Sequence, residues 1–189
     1  SASTDKIQAN QELNDLIEAL GCGIGDNFMS DDLRYERVII MTDADVDGAH
    51  IASLLMTFFF KEMPQLIENG NLYVAMPPLY RITQGNRTMY ARDDSHKDEL
   101  IDKVFTGKGK IDISRFKGLG EMPPKQLKET TMDPNSRTLL RVTVPLRHSN
   151  EDIIEARETS KLVESLMGKK PELRFNFIKE HAQFVDQID

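Results

Sequence analysis

Three aspartates alternate along Val38-Ile-Ile-Met-Thr-Asp-Ala-Asp-Val-Asp-Gly-Ala-His50: Asp43, Asp45 and Asp47, followed by Gly48. Alternate residues of an extended chain point the same way, so Asp43 and Asp45 can converge. Carboxylates held that close repel unless a cation lies between them or a proton is shared. Oxygen donors suit Mg²⁺, which takes one or two protein carboxylates and completes its shell with water and phosphate. The chemistry open to such a group is metal-assisted attack on a phosphodiester.

Other readings compete for the same residues. An EF-hand calcium loop needs a glutamate at its twelfth position, which here is Leu54, and a helix before the loop instead of the β-branched run found there. An aspartate-nucleophile phosphatase is expected to carry a small or apolar residue where Asp47 stands. A plain structural reading makes Asp47 the cap of a helix beginning at Ala49, favoured by the macrodipole. That reading leaves Asp43 and Asp45 unexplained. His50 reads as a packed or capping residue before it reads as a ligand. Cys22 has no histidine near it in sequence and is assigned no chemistry.

The second chemical stretch is Ser114-Arg-Phe-Lys-Gly-Leu-Gly-Glu-Met122. Gly118 and Gly120 let the backbone turn sharply and approach another chain closely. Exposed amides beside Arg115 and Lys117 form a recurring phosphate-contact design. The bland alternative is a tight connection with an incidental lysine. Arg137, Arg141 and Arg147 extend the positive charge. The chain has no Trp, and its aromatics do not alternate with basic residues. Contact with a duplex backbone is therefore favoured over stacking on single strands.

The elements that position these loops follow from periodicity. Val38–Met41 is a short apolar run that suits a buried strand. Ala49–Lys61 is apolar nearly all round and predicts a buried helix. Pro64 marks a kink or a fresh start, Gly70 ends the segment, and Leu72–Ala75 is a second strand. Strand, helix and strand at this spacing predict a βαβ unit with parallel strands. The aspartates then lie at the carboxyl end of a strand, where open α/β sheets bind ligands.

Further elements flank this unit. Asn10–Leu20 predicts an amphipathic helix ended by Gly21, Gly23 and Gly25. Gly85 and Asn86 between Leu79–Thr83 and Thr88–Ala91 predict a hairpin. Ser95–Phe105 predicts a helix capped by Ser95, and Pro123–Thr131 a helix opened by its prolines. Leu139–Val144 suits a strand, and residues 149–189 are mostly helical with a break near Gly168 and Pro171. The predicted class is α/β, a partial sheet domain over residues 1–80 followed by a mixed α+β region over 81–189.

Composition sets the outer bounds. The chain has 189 residues, 39% of them hydrophobic, and a formal net charge of −7, which excludes disordered and fibrous classes. A single cysteine excludes an intramolecular disulfide and fits a reducing, cytoplasmic setting. The longest apolar run, Ile51–Phe60, is about half a membrane span, and no signal-peptide pattern opens the chain. The acidic balance alone argues against nucleic acid. Residues 1–50, however, carry 3 basic and 11 acidic side chains, while residues 107–147 carry 9 and 4. The basic block is where a DNA contact is expected.

Taken together, these stretches resemble the B subunits of bacterial type II topoisomerases. Met41-Thr-Asp-Ala-Asp-Val-Asp-Gly-Ala-His50 resembles the metal-binding motif of their TOPRIM domain, a Rossmann-like parallel sheet with flanking helices. Pro77-Pro-Leu-Tyr-Arg81, Arg115-Phe-Lys-Gly-Leu-Gly-Glu-Met122 and Glu129-Thr-Thr-Met-Asp-Pro134 resemble downstream segments of the same family, in the same order. The compact C-terminal part is more similar to the topoisomerase IV branch than to gyrases with a long insertion.

The resemblance implies an ATP-using A2B2 enzyme that cuts, passes and reseals duplex DNA. The A subunit supplies the nucleophilic tyrosine and the B subunit supplies Mg²⁺. It implies Asp43 and Asp45 as the main metal ligands, Asp47 as a supporting one, and Lys117 as a catalytic DNA contact. Arg81, Arg115, Gly118 and Gly120 are implied as further DNA contacts. The family also uses a glutamate in an upstream Glu-Gly-Asp-Ser-type motif, and an ATP-binding region, neither of which is found here. The chain is thus expected to begin inside the TOPRIM domain, with an exposed sheet edge, and to be inactive alone.

Overall fold

The computed structural model describes residues 9–145 and 149–182. Helix α1 (Gln11–Leu20) starts where the Asn10 side chain accepts the Leu13 N–H at 2.9 Å. It ends where Gly21 adopts φ 75° and returns its N–H to the Ile17 carbonyl. Strand β1 (Val38–Ile40) leads through the acidic loop into α2 (Val46–Glu62). Helix α3 (Pro64–Glu68), opened by its proline, precedes β2 (Leu72–Ala75). Strands β1 and β2 are parallel, with Val38 opposite Leu72 and Ile40 opposite Val74. The predicted βαβ unit is therefore present.

The hairpin follows as β3 (Tyr80–Gln84) and β4 (Arg87–Ala91). Gly85 alone takes the left-handed conformation at its turn, φ 57°, which matches a primed hairpin turn with glycine first. Helix α4 (Asp94–Lys103) comes next, then β5 (Asp112–Arg115), α5 (Pro124–Leu127) running into a π turn over Lys128–Met132, and β6 (Leu139–Arg141). Helices α6 (Asn150–Met167) and α7 (Pro171–His181) close the described chain. The break between them falls at Gly168 and Pro171, as those two helix-breaking residues predict.

The chain divides into two compact units. One comprises the described parts of Ser1–Glu36, Met56–Asn71 and Thr143–Asp189. Its buried side chains are Leu20, Cys22, Phe28, Phe59, Met63, Leu66 and Ile67. Burial pushes the Cys22 thiol pKa up, which suits an inert core cysteine. Helix α6 opens with a reciprocal capping box, Ser149 with Asp152, and Glu164 meets Lys61 at 2.8 Å.

The other unit, Arg37–Leu55 with Leu72–Val142, holds both sheets and both chemical loops. The first sheet has order β1-β2-β6, and β6 runs antiparallel to β2. The sheet is therefore mixed. The second has order β4-β3-β5, all antiparallel. Tyr80, Ile82, Ala91, Leu100 and Phe105 form its core beneath α4. Each such large apolar side chain, fully buried, contributes roughly 1.5–3 kcal/mol.

Three local expectations change. The α4 cap is Asp93, not Ser95: the Asp93 carboxylate accepts the His96 N–H at 2.7 Å. Asp94 is thereby freed to accept from Lys97 and from the Tyr80 hydroxyl, which together hold its carboxyl below the usual range. Helix α2 is not buried all round. Ala52 and Phe59, seven residues apart, are buried, while Val46, Ile51 and Leu54 are exposed. Apolar composition favours burial but does not supply neighbours on every side. Strand β6 ends at Arg141, short of the predicted Val144.

Candidate metal and DNA site

The acidic loop leaves β1 at Ile40 and turns into α2 five residues later. The Asp45 side chain accepts the Gly48 N–H at 2.7 Å, and its carbonyl accepts the Ala49 N–H at 3.0 Å. Asp45 is thus the helix cap, and α2 begins at Val46. This corrects the expectation that Asp47 caps a helix from Ala49. Asp45 wins because its carboxylate lies one residue before the first turn and reaches the third free N–H. Asp47 sits in that first turn, exposed. His50 is exposed too, which removes the packed reading.

Gly48 has a reason for its identity. A Cβ there would stand 2.1 Å from the Asp43 carbonyl oxygen and 2.8 Å from its carbon. Only a glycine lets the first turn of α2 close onto the backbone of Asp43. The Asp43 side chain, in turn, accepts the Leu119 N–H at 2.8 Å, across 76 positions of sequence. A Cβ on Gly118 would lie 2.9 Å from the Asp43 Cγ. The acidic loop and the basic loop therefore meet at Asp43.

The basic loop is anchored on both sides of that meeting point. The Phe116 N–H donates to the Leu79 carbonyl at 2.8 Å, and Phe116 and Met122 are buried. The Lys117 N–H donates to the Glu121 carboxylate at 2.8 Å. A 3-10 turn spans Leu119–Glu121. The Lys117 side chain is exposed, and its ammonium has no protein partner among the described residues. A Cβ at Gly120 would meet nothing within 4 Å, so packing within the chain does not dictate that glycine.

The other basic residues vary in access. Arg115 is exposed on β5, its guanidinium 6.0 Å from the Tyr80 ring centre. Arg81 is half-buried on β3 opposite Tyr90, and its Nε is buried without a hydrogen-bond partner among the described residues. Arg137 reaches the Met132 carbonyl at 3.4 Å. Arg141 is exposed on β6, and Arg147 lies outside the described residues.

The donors present fit one kind of cation. One oxygen of Asp43 and one of Asp45 each take a backbone N–H. The second oxygen of each has no protein donor among the described residues, and both side chains are open to solvent. Among the described residues, no three His, Cys, Asp or Glu side chains gather as a metal cage. Such a set suits Mg²⁺, which dehydrates reluctantly and keeps waters beside one or two carboxylates. It does not suit a metal that needs an all-protein shell. Sequence patterns missed the Leu119 amide and the Glu121 carboxylate. A backbone N–H carries no residue signature, and the glycine before it is the only trace.

Known proteins place these segments. Residues 2–77 match the Toprim domain family, and residues 108–179 match the family described as DNA gyrase B subunit, carboxyl terminus. The chain is 60% identical over 189 residues to the B subunit of DNA topoisomerase 4 from Bartonella bacilliformis, covering 100% of this chain and 26% of that protein. It is 61% identical over 184 residues to the corresponding protein of Caulobacter vibrioides, covering 97% and 25%. Against the B subunit of DNA gyrase from Halalkalibacterium halodurans it is 49% identical over 188 residues, covering 100% and 28%. The chain thus spans about a quarter of the length of the curated relatives it matches. Among the described residues, no helix is long and apolar enough to cross a membrane.

Proposed function

The chain belongs to the type II topoisomerase B-subunit family over its Toprim and carboxyl-terminal regions, and from that premise we propose that Asp43 and Asp45 bind Mg²⁺ for double-strand DNA cleavage and religation by an A-subunit tyrosine. The observation that carries this reading is the contact between the Leu119 N–H and Asp43, which brings an exposed carboxylate pair beside an exposed lysine loop. The partners are duplex DNA, an A subunit and a second B subunit in an A2B2 assembly that uses ATP in a cytoplasmic setting. Topoisomerase IV is favoured over gyrase by 60–61% identity against 49%.

Each residue has a task in this reading. Mg²⁺, when bound, would supply charge stabilisation at the attacking and leaving oxygens. Asp43 and Asp45 hold their free oxygens toward solvent, where a cation and a phosphate can both reach them. Asp47 adds negative charge on the first helical turn. Lys117 offers an unpaired ammonium to a DNA phosphate. Gly120 leaves room for that backbone to approach, and Arg115 and Arg81 extend the positive surface.

Replacing Lys117 with alanine in the full-length protein is expected to weaken duplex binding. The slope of log affinity against log salt should fall by about 0.9, the value of one released phosphate counterion. Fluorescence anisotropy with a short duplex between low and moderate salt reads it. An unchanged slope would return Lys117 to an incidental surface role.

A further inference from the structure

We propose that the backbone N–H of Leu119 is a positioning group for the Asp43 carboxylate, and that residue 118 is glycine because this carboxylate occupies the space a side chain would take. The inference rests on the metal reading above and deepens it. The Leu119 N–H lies 2.8 Å from one Asp43 oxygen, the short distance of a charge-assisted hydrogen bond. Gly118 is extended, with φ −164° and ψ 171°, a conformation any residue adopts. Backbone freedom therefore does not explain it. Close approach does, since an added Cβ would sit 2.9 to 3.1 Å from the Asp43 Cγ and both carboxylate oxygens.

The donor is held still. The Phe116, Lys117, Glu121 and Met122 N–H groups donate to Leu79, Glu121, Gly118 and Leu119 respectively. Hydrogen bonds thus fix the loop on either side of Leu119. Asp43 itself is exposed, and an exposed carboxylate free of such a donor would rotate among its staggered wells. One fixed N–H selects the oxygen it binds and leaves the other for a cation. Groups that orient a metal ligand in this way commonly set its affinity. Because Lys117 precedes this pair directly, the loop that offers a cation to DNA also sets the ligand beside it.

The test uses the full-length protein without DNA, with Mn²⁺ as the probe, read by electron paramagnetic resonance. Gly118→Ala should weaken Mn²⁺ binding about tenfold and change the spectrum of the bound ion. An amide-to-ester replacement at residue 119 deletes the donor, at the side cost of a weaker Gly118 carbonyl acceptor for the Glu121 N–H, and should weaken binding about three- to tenfold. Leu119→Ala keeps the N–H and should keep the affinity within about twofold. Thermal unfolding checks that each variant folds, and the ester decides if Gly118→Ala does not. Wild-type affinity in the ester and Gly118→Ala, with affinity lost in Asp43→Ala, would overturn the positioning role and leave the metal reading standing. Wild-type affinity in Asp43→Ala as well would overturn both.

Discussion

Asp43→Ala in the full-length protein, assayed with the proposed A-subunit partner, is expected to lower Mg²⁺-dependent DNA cleavage by on the order of a thousandfold. Charge stabilisation of this kind supplies several kcal/mol to the transition state, and each 1.36 kcal/mol is about tenfold in rate. The variant is a clean one. The Asp43 side chain is exposed and makes one hydrogen bond, to Leu119, so water can replace it. Asp45→Ala is less clean, because Asp45 also caps α2 and its loss adds about 1 kcal/mol of helix destabilisation. Cleavage of Asp43→Ala at near-normal rates across a Mg²⁺ titration would contradict the assignment.

The second large effect falls on stability. Gly48→Ala places a methyl 2.1 Å from the Asp43 carbonyl oxygen. Neither side of that contact can yield cheaply, because one is the first turn of a helix and the other is backbone. The first turn must unwind or the loop must move, at a cost of about 3 kcal/mol. For a chain of this size the midpoint of thermal unfolding should fall by roughly 6–12 °C. Binding at the proposed ligands should be lost with it, since Asp43 forms one side of that contact and Asp45 lies between Asp43 and Gly48. A midpoint within a degree of wild type would mean that Gly48 is not required by this approach.

The strand, acidic loop and helix were legible because an apolar β-branched run, a glycine and a long apolar segment all point to one βαβ arrangement, and β1 and β2 pair as predicted. The hairpin was legible from Gly85 and Asn86 between two runs of strand formers. Strand β5 was not. Asp112–Arg115 has Ile113 as its one apolar residue, and its pairing with β3 is a tertiary contact between segments about thirty positions apart. The antiparallel place of β6 beside β2 was hidden for the same reason.

The candidate site was half legible. Acidic spacing marked Asp43, Asp45 and Asp47, and the glycine-bracketed lysine marked the other loop. That the two loops touch could not be read from either stretch, because a main-chain N–H makes the contact. Helix starts slipped for a related reason. Where two carboxylates stand near a helix start, geometry decides which one reaches the free amides, and here it chose Asp45 over Asp47.

The most direct test of metal binding at Asp43 and Asp45 is a Mn²⁺ titration of this 189-residue chain followed by backbone amide resonances, since a paramagnetic ion broadens nearby signals even when it binds weakly. The amides of residues 43–48, with Gly118 and Leu119 across the loop, should broaden first and together at substoichiometric Mn²⁺, and added Mg²⁺ should restore them, as the Asp43 and Asp45 metal assignment requires. Broadening that begins elsewhere, at the acidic turn of Asp31 and Asp32 for example, or that spreads evenly over the chain, would contradict it.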